Sequence, residues 1–554
     1  MSGFPLSNGT NSNNHIIHIN HFNFINFSMK TNKWFKVLPA IAFAAILAFS
    51  SCAKEDGGNP DTEPAPEGYG YLAINPTADV KELTRAYTGV NVGTDEENFV
   101  DKIYVLLYNT DVAAVLQYRL EFDVDNENGT GSLDDFTGDI ASDQTGVVDP
   151  TLGVITEGRA VKSQAYKMIV VLNPSAAITA ATVAGTNDLD DFDEAKAETV
   201  AGLIGTNRFV MTNADGIINV AAADLQNTKA AAEAAPVSVN VDRAVAKITV
   251  EKGADFDTNI TKNTTPATML YESIDNISWY LDVTNPETFW VRHAANDMDG
   301  ASETATTARE KRYATDPNFM AASQAGAGFN KLDLTSGSNL TAAQNALNAS
   351  SSALSVYSVE NTMETAAQAT WKDNATQVVV KCQIVPIGFS AGDSYYSKGT
   401  AVFTHAQALI WAQAADPTTI PSDIVTNAHF TGGSASDNAT AFQAALVASG
   451  FFIDTTNGNA PIPSAPTTFS ISGNGITFHL KGWNVYRVPV KHFNEGSQTE
   501  ASYGHYGVVR NNAYTVTITN ITGPGNATSE KYIAADITIN PWLLRTQEES
   551  LGNE

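Results

Sequence analysis

Along most of the chain, apolar residues come in short runs bounded by Gly, Asn, Asp and Pro. Tyr71–Ile74, Lys102–Tyr108, Tyr166–Leu172, Ala244–Val250 and Asn276–Val283 are such runs in the first half. Gly475–Leu480, Val485–Val490, Ala513–Ile518 and Ala535–Ile539 follow near the end. Many alternate with period two, and their lengths suit strands. Ala-rich pieces at 176–184, 222–235, 342–353 and 441–449 are the candidates for short helices or loops between them. The pattern predicts a mainly β protein of sandwiches with short helical insertions. The clearest break is the Ala-rich connector 222–236, so a domain boundary is placed near residue 237. No short-period repeat is visible, which disfavours solenoids and propellers.

The start of the chain departs from this pattern. Met29–Lys36 carries three lysines and no acid, an apolar stretch Val37–Phe49 follows, and Ser50-Ser51-Cys52 ends it. A positive start, a short apolar run and small residues before a cut describe a secretory signal peptide through residue 51, too short to span a bilayer stably. Residues 1–28 make no sense ahead of such a signal, so Met29 is expected to be the true start and 1–28 a spurious upstream extension. Small residues directly before Cys52 resemble the lipobox of bacterial lipoproteins. That resemblance implies that Cys52 receives acyl chains (palmitate) and becomes the new N-terminus at the outer membrane. The alternative is an ordinary cleaved signal with an incidental cysteine. Lys54-Glu55-Asp56 resembles the acidic signal that routes lipoproteins of Bacteroidota to the cell surface. Gly57–Gly68, rich in Pro, Gly and acids, reads as a flexible tether.

Composition narrows the function classes. Hydrophobic residues make up 43% of the chain, enough for sizeable cores. The formal charge is −28, and a surface this acidic repels phosphate backbones, so no nucleic-acid partner is expected. Of the two cysteines, Cys52 belongs to the leader and Cys382 lies in the strand-like run 377–388, where it reads as a small core thiol. His293, His405, His429, His479, His492 and His505 show no zinc spacing, and a satisfied structural histidine is the default, as for His479 in its strand. Asp123–Gly129 loosely resembles a calcium loop, but Gly129 comes one place late and Asp134 stands where a Glu is usual, so a solvated acidic turn is the reading and no metal is expected. A nucleophile elbow, a Walker loop and a dinucleotide fingerprint are all absent. No cofactor is implied, and the chain does not read as an enzyme.

Three stretches carry a family resemblance. Gly482-Trp-Asn-Val-Tyr-Arg-Val-Pro-Val-Lys-His-Phe-Asn494 with Tyr506–Gly525 resembles the closing domain of a fimbrial shaft subunit. Val241-Asp-Arg-Ala-Val-Ala-Lys247 resembles the start of the second domain, and Tyr166–Pro174 a strand of the first. Together they look like the major fimbrial subunits (fimbrillins) of Bacteroidales, the type V pilus family, within it the minor-fimbrium shaft subunits. The middle, 285–470, matches poorly, and Ala513 stands where an aromatic is expected.

The resemblance implies two tandem transthyretin-like β-sandwich domains, 86–236 and 237–554, behind a lipidated tether and removable first strand, 52–85. In this family a trypsin-like protease cuts after a basic residue past the first strand, and a segment from another subunit's C-terminus fills the groove. Here the removable strand is Tyr71, Leu72, Ala73 and Ile74, flanked by Gly70 and Asn75. The cut falls between Arg85 and Ala86, within the polar stretch 77–93; Arg159 is the runner-up. The implied partners are the chain itself, in a head-to-tail homopolymer, and fimbrial anchor and tip subunits. The protease and, before cleavage, the outer membrane through the lipid complete the set.

The physical logic stands beside the family name. A sandwich missing a strand exposes unpaired backbone groups and an apolar trough, which a peptide strand can restore. In the tail, Ala535, Ile537 and Ile539 alternate with Asp536, Thr538 and Asn540, and Trp542, Leu543 and Leu544 add bulk. The tail is therefore the candidate donor strand; a last strand packed in its own domain is the alternative. A head-to-tail contact of this kind propagates into an open filament, which gives a cell-surface fimbria supporting adhesion. An anchor or tip subunit, and a monomeric surface lipoprotein that binds glycans, are the competing readings. A secreted hydrolase would need a convergent acid/base site.

Overall fold

A computed structural model describes residues 62–78, 97, 99–126, 136–138, 155–193, 198–205, 208–254, 256, 271–294, 314–318, 328–332, 345–349, 352–363, 374–398, 401–408, 444, 471–473, 476–492, 504–521, 525, 538–541 and 543–551. The chain is mainly β, with a few short helices such as Ala176–Ala180 and Lys229–Ala234.

The first core is built on an eight-stranded sheet. Its path runs Ile74–Ala78, Val237–Arg243, Met211–Asn213, Tyr166–Leu172, Lys102–Tyr108, Leu116–Asn126 and Phe136–Gly138, with Ile218–Val220 on the side of Tyr166–Leu172. Lys102–Tyr108 and Tyr166–Leu172 are buried almost along their whole length rather than at alternate positions. This is why their sequences are nearly continuous apolar runs: both faces of the sheet are covered. On one face Ala176–Ala180 packs down, its first turn capped by Ser175, whose hydroxyl accepts from the Ile178 amide.

The second core lies between two sheets. One runs Asn348–Ala349, Ala246–Lys252, Asn512–Ile521, Leu543–Leu551 and Thr538–Pro541, with Ser355–Ser358 beside Ala246–Lys252. The other runs Asn345–Ala346, Tyr271–Asp282, Gln377–Pro386 and Trp483–Pro489. Ile248, Val250, Tyr514, Val516 and Ile518 from the first sheet share one buried cluster with Trp279, Val378, Val380, Cys382, Tyr486 and Val488 from the second. A smaller sheet pairs Tyr395–Lys398 with Ala401–Phe403 and Ile476–His479, and the last of these with Ile471–Gly473.

Two sequence expectations are corrected. Val237–Arg243, assigned to the second domain, pairs parallel with Ile74–Ala78 and antiparallel with Met211–Asn213 in the first sheet. The two clusters part between Val245 and Ala246. In the run 237–250 the apolar alternation shifts from odd positions (237, 239, 241) to even ones (244, 246, 248, 250) across Asp242-Arg243, where the chain moves between sheets. Within the piece 342–353, Asn345–Ala346 and Asn348–Ala349 are short strands rather than helix, and Leu347 between them is buried. Pairing against the long strands on either side overrides a weak helix preference. Of the piece 441–449, all but residue 444 lies outside the described residues.

Candidate functional site

The leader strand is two strands that change sheet at Ala73. Tyr69–Leu72 runs antiparallel to Arg159–Lys162, Tyr69 opposite Lys162 and Leu72 opposite Arg159. On its other side, Tyr71 and Gln226 exchange amide-to-carbonyl bonds of 2.7 and 2.9 Å. The Val237 amide then donates to the Ala73 carbonyl at 2.9 Å, and Ile74–Ala78 continues parallel to Val237–Val241. The Ile74 amide donates to the Thr156 hydroxyl at 3.1 Å. Leu72, Ala73 and Ile74 are 2%, 2% and 1% exposed, and Leu72 and Ile74 belong to the first core together with Val161, Leu225, Val239 and Val241. The strand therefore ends the described sheet in hydrogen bonding yet sits at the centre of the core in packing. Burying Leu72 and Ile74 stabilises by about 1.5–3 kcal/mol each. Without the strand, both the Val237–Val241 edge and an apolar trough lie open.

Arg159 is placed inside this ladder, opposite Leu72, with its guanidinium 5.2 Å from the centre of the Phe122 ring. A protease needs an unpaired extended segment, so Arg159 is shielded while the leader strand is in place. Cys52, Arg85 and Ala86 lie outside the described residues, as do Ala535, Ile537 and Trp542 of the tail.

The described part of the tail lies in its own chain's sheet. Thr538–Pro541 and Leu543–Leu551 pair antiparallel, with Ile539 opposite Leu544, and Leu543–Leu551 runs parallel to Asn512–Ile521. The register is informative. Tyr514, Val516 and Ile518 are fully buried in the second core, and their partners in the tail are Arg545, Gln547 and Glu549. The intrachain position thus supplies ladder bonds and sets polar residues beside these three core positions, while Leu551 stands opposite buried Ile521.

Between the two cores lies a buried polar lock that sequence reading missed. Arg510, with no exposed side chain, bonds Glu360 at 2.8 Å, donates to the carbonyls of Phe289 (2.7 Å) and Trp290 (3.0 Å), and reaches the Thr288 hydroxyl at 3.2 Å. It thereby holds an arm that leaves the second core's strand Tyr271–Asp282 and plugs the first core with Trp290 and Val291. The Trp290 indole donates to Glu198 at 3.1 Å and stands 5.0 Å from the Phe192 ring. Next to it, Asn511, in the left-handed region at φ 56°, donates to Asp242 at 2.8 Å and accepts from Arg243 at 3.1 Å. Arg292 closes the set on Asp242 at 2.6 Å. Burial lowers the Arg243 pKa to about 10, against the pull of Glu97 and Asp242. Asp242, Arg243, Arg510 and Asn511 all fall in the motifs that carry the family resemblance. The signal was there: polar and charged residues at the ends of otherwise apolar strands, Asp242 and Arg243 closing one and Arg510 and Asn511 preceding another.

Asp316 belongs to the same region. Its carboxylate accepts from the Thr362 amide, the Thr362 hydroxyl at 3.0 Å and the Asn318 amide at 2.6 Å. Burial nevertheless pushes its pKa up to about 7; these hydrogen bonds oppose the rise and the nearby Glu360 charge adds to it. The folded state thus holds the proton more tightly than the unfolded chain, and the stability linked to this group is lost as pH rises through about 7. The expected result is a melting temperature that falls by several degrees between pH 5 and pH 8, with a flatter profile in Asp316→Asn. Parallel profiles for the two proteins in a calorimetric pH series would contradict the assignment.

The histidines with described surroundings are held by protein partners. His479 is buried between the Ser397 hydroxyl at 2.8 Å and the Trp483 carbonyl at 3.1 Å, and His492 meets the Tyr514 hydroxyl at 2.8 Å. Cys382 is buried in the second core, which raises its pKa far above that of a reactive thiol. Among the described residues no group of three or more His, Cys, Asp or Glu is placed to hold a metal ion.

Fold and site define a class: a mainly β protein with two cores, a first strand that ends its described sheet, and a polar lock between the cores. Residues 477–548 match the family model described as major fimbrial subunit protein type IV, fimbrillin, C-terminal. This agrees with the resemblance read from 482–525 and supports a fimbrillin-type subunit with a structural, fimbrial role. Among solved structures, the chain is similar to a candidate cell adhesion protein from Parabacteroides distasonis at 13% identity, covering 88% of this chain and 99% of that one with a TM-score of 0.38. A candidate cell adhesion protein from Bacteroides eggerthii matches at 12% identity over 89% and 100% of the two chains, TM-score 0.38. The tip fimbrial protein Mfa3 from Porphyromonas gingivalis, with a C-terminal truncation, matches at 12% identity over 81% and 94%, TM-score 0.32. No curated protein matches the chain.

Proposed function

We propose that the chain is the shaft subunit of a cell-surface fimbria, exported as a lipoprotein through Cys52 and cut after Arg85. Removal of the leader strand opens the first core, and the tail of another copy fills it, so that subunits join head to tail into a polymer that supports adhesion. The observation that carries this reading is the double character of the leader strand, which is central to the core but terminal in the described sheet. A strand of that kind can be withdrawn and replaced without breaking any other ladder of the eight-stranded sheet. Its departure strips Arg159–Lys162 of its ladder partner as well, so the vacated site asks for a donor that serves both sheets.

N-terminal sequencing of surface-extracted protein together with an unheated gel tests the proposal. The expected result is an N-terminus at Ala86 and a heat-sensitive ladder of multimers, both lost in Arg85→Ala. Monomeric native protein that keeps its lipid and residues 69–78 would overturn it.

A further inference from the structure

The vacated site carries the imprint of a specific five-residue segment, and the tail contains a segment that matches it at its last three residues. The leader strand reads Leu72-Ala-Ile-Asn-Pro76 and the tail reads Ile537-Thr-Ile-Asn-Pro541. Ile-Asn-Pro occurs at these two places and nowhere else in the 554 residues. We propose that the tail of a second copy docks in the leader's own direction and register. Ile537 takes the place of Leu72, Thr538 of Ala73, Ile539 of Ile74, Asn540 of Asn75 and Pro541 of Pro76. The inference rests on the strand-exchange reading above and adds the alignment that it lacks.

Asn-Pro by itself is a common strand stop, and the chain uses it so: Asn173-Pro174 follows Tyr166–Leu172, and Asn285-Pro286 lies beyond Tyr271–Asp282. In the leader the dipeptide lies inside the strand instead, and in the tail it forms the last two residues of a strand that ends its sheet. Pro76 sits within Ile74–Ala78 opposite Val239, and Pro541 within Thr538–Pro541. A proline has no amide hydrogen to donate, so it is tolerated inside a strand only at a sheet edge, at the strand's start or at a bulge. Both segments are therefore suited to a place that ends a sheet.

Burial makes the alignment specific. Leu72, Ala73, Ile74 and Pro76 are buried and Asn75 is half-buried, so the shared motif is the part of the leader that fills the core. The correspondence stops just before it. Ala535 aligns with Gly70, where an added Cβ meets the Leu225 Cβ at 2.8 Å, and Asp536 aligns with Tyr71. Two differences remain: Ile537 for Leu72, a change of branching in an apolar side chain, and Thr538, a hydroxyl at the position of fully packed Ala73. Read in this register, the incoming strand runs parallel to Val237–Val241, as Ile74–Ala78 does, and sets Asn540 opposite Ser238.

Engineered disulfides in the full chain test the alignment, in a Cys382→Ala background. Ser238 is exposed and Asn75, its partner, is half-buried, so this pair lies on the accessible face. A disulfide needs Cα atoms about 4.4–6.8 Å apart, which residues directly opposite satisfy and residues two places along the strand do not. Asn540→Cys with Ser238→Cys is expected to give a boiling-resistant, reducible ladder at least about tenfold stronger than Trp542→Cys with Ser238→Cys. Equal or reversed yields over a normal heat-sensitive ladder would overturn the register while leaving strand exchange in place. Absence of any heat-sensitive ladder in the parent would overturn strand exchange itself, and the register with it. Ile537→Leu with Thr538→Ala, which writes the leader's motif into the tail, is a second measurement free of cysteines. It is expected to assemble at least as well as the parent, and a severalfold loss of multimers would also sink the register.

Discussion

Truncation after Ser529 is expected to abolish the multimer ladder while leaving export intact. The deleted residues include the whole candidate donor, so the effect on assembly is all-or-none rather than graded. The fold is expected to lose little. What the tail gives its own chain is the ladder between Leu543–Leu551 and Asn512–Ile521; the residues in register with Tyr514, Val516 and Ile518 are Arg545, Gln547 and Glu549, and Leu551 at the end stands opposite Ile521. Removing polar register partners from an edge costs far less than removing core side chains. The measurement is an unheated gel of surface-extracted protein beside a thermal melt of the purified monomer. Normal fibres from the truncated chain would exclude the tail as donor. A collapse of the melting temperature would instead make the tail an integral strand of its own domain.

Arg510→Met is expected to be the most destabilising single change outside the hydrophobic cores. The substitution strips the buried Glu360 carboxylate of its cation and leaves the Phe289 and Trp290 carbonyls short of a donor. Breaking a buried pair by removing one partner costs about 3–5 kcal/mol. For domains of this size that corresponds to a fall in melting temperature on the order of 10 °C. Replacing both partners, Arg510→Met with Glu360→Leu, is expected to recover part of the loss, because no charge is then left buried alone. Calorimetry on the single and double variants checks this; a single-variant shift below about 1 °C would mean that the lock contributes nothing.

Much of the fold was legible because strands buried on both faces leave runs that no other arrangement explains. Lys102–Tyr108 and Tyr166–Leu172 appear at the bounds their sequences predict. The leader strand was legible for the same reason, as an apolar run isolated between a polar tether and a polar loop. The domain boundary was misplaced because Val237–Arg243 and Ala246–Lys252 both alternate with period two and only a shift of phase separates them, while they pair in different sheets. Period-two alternation records that a residue is buried, not beneath which sheet.

The sequence by itself determined the class of protein, the strands of both cores and the unusual apolar character of the tail, because these depend on neighbours a few residues apart. Only the tertiary structure decided that the leader changes sheet at Ala73, that Arg159 is sheltered in its ladder, and that Arg510 locks the two cores together. Asn511 and Asp242 are 269 positions apart, and Arg510 and Phe289 are 221. Hydrogen bonds across such distances leave no local pattern; they exist only once two independently formed sheets have brought their edges together.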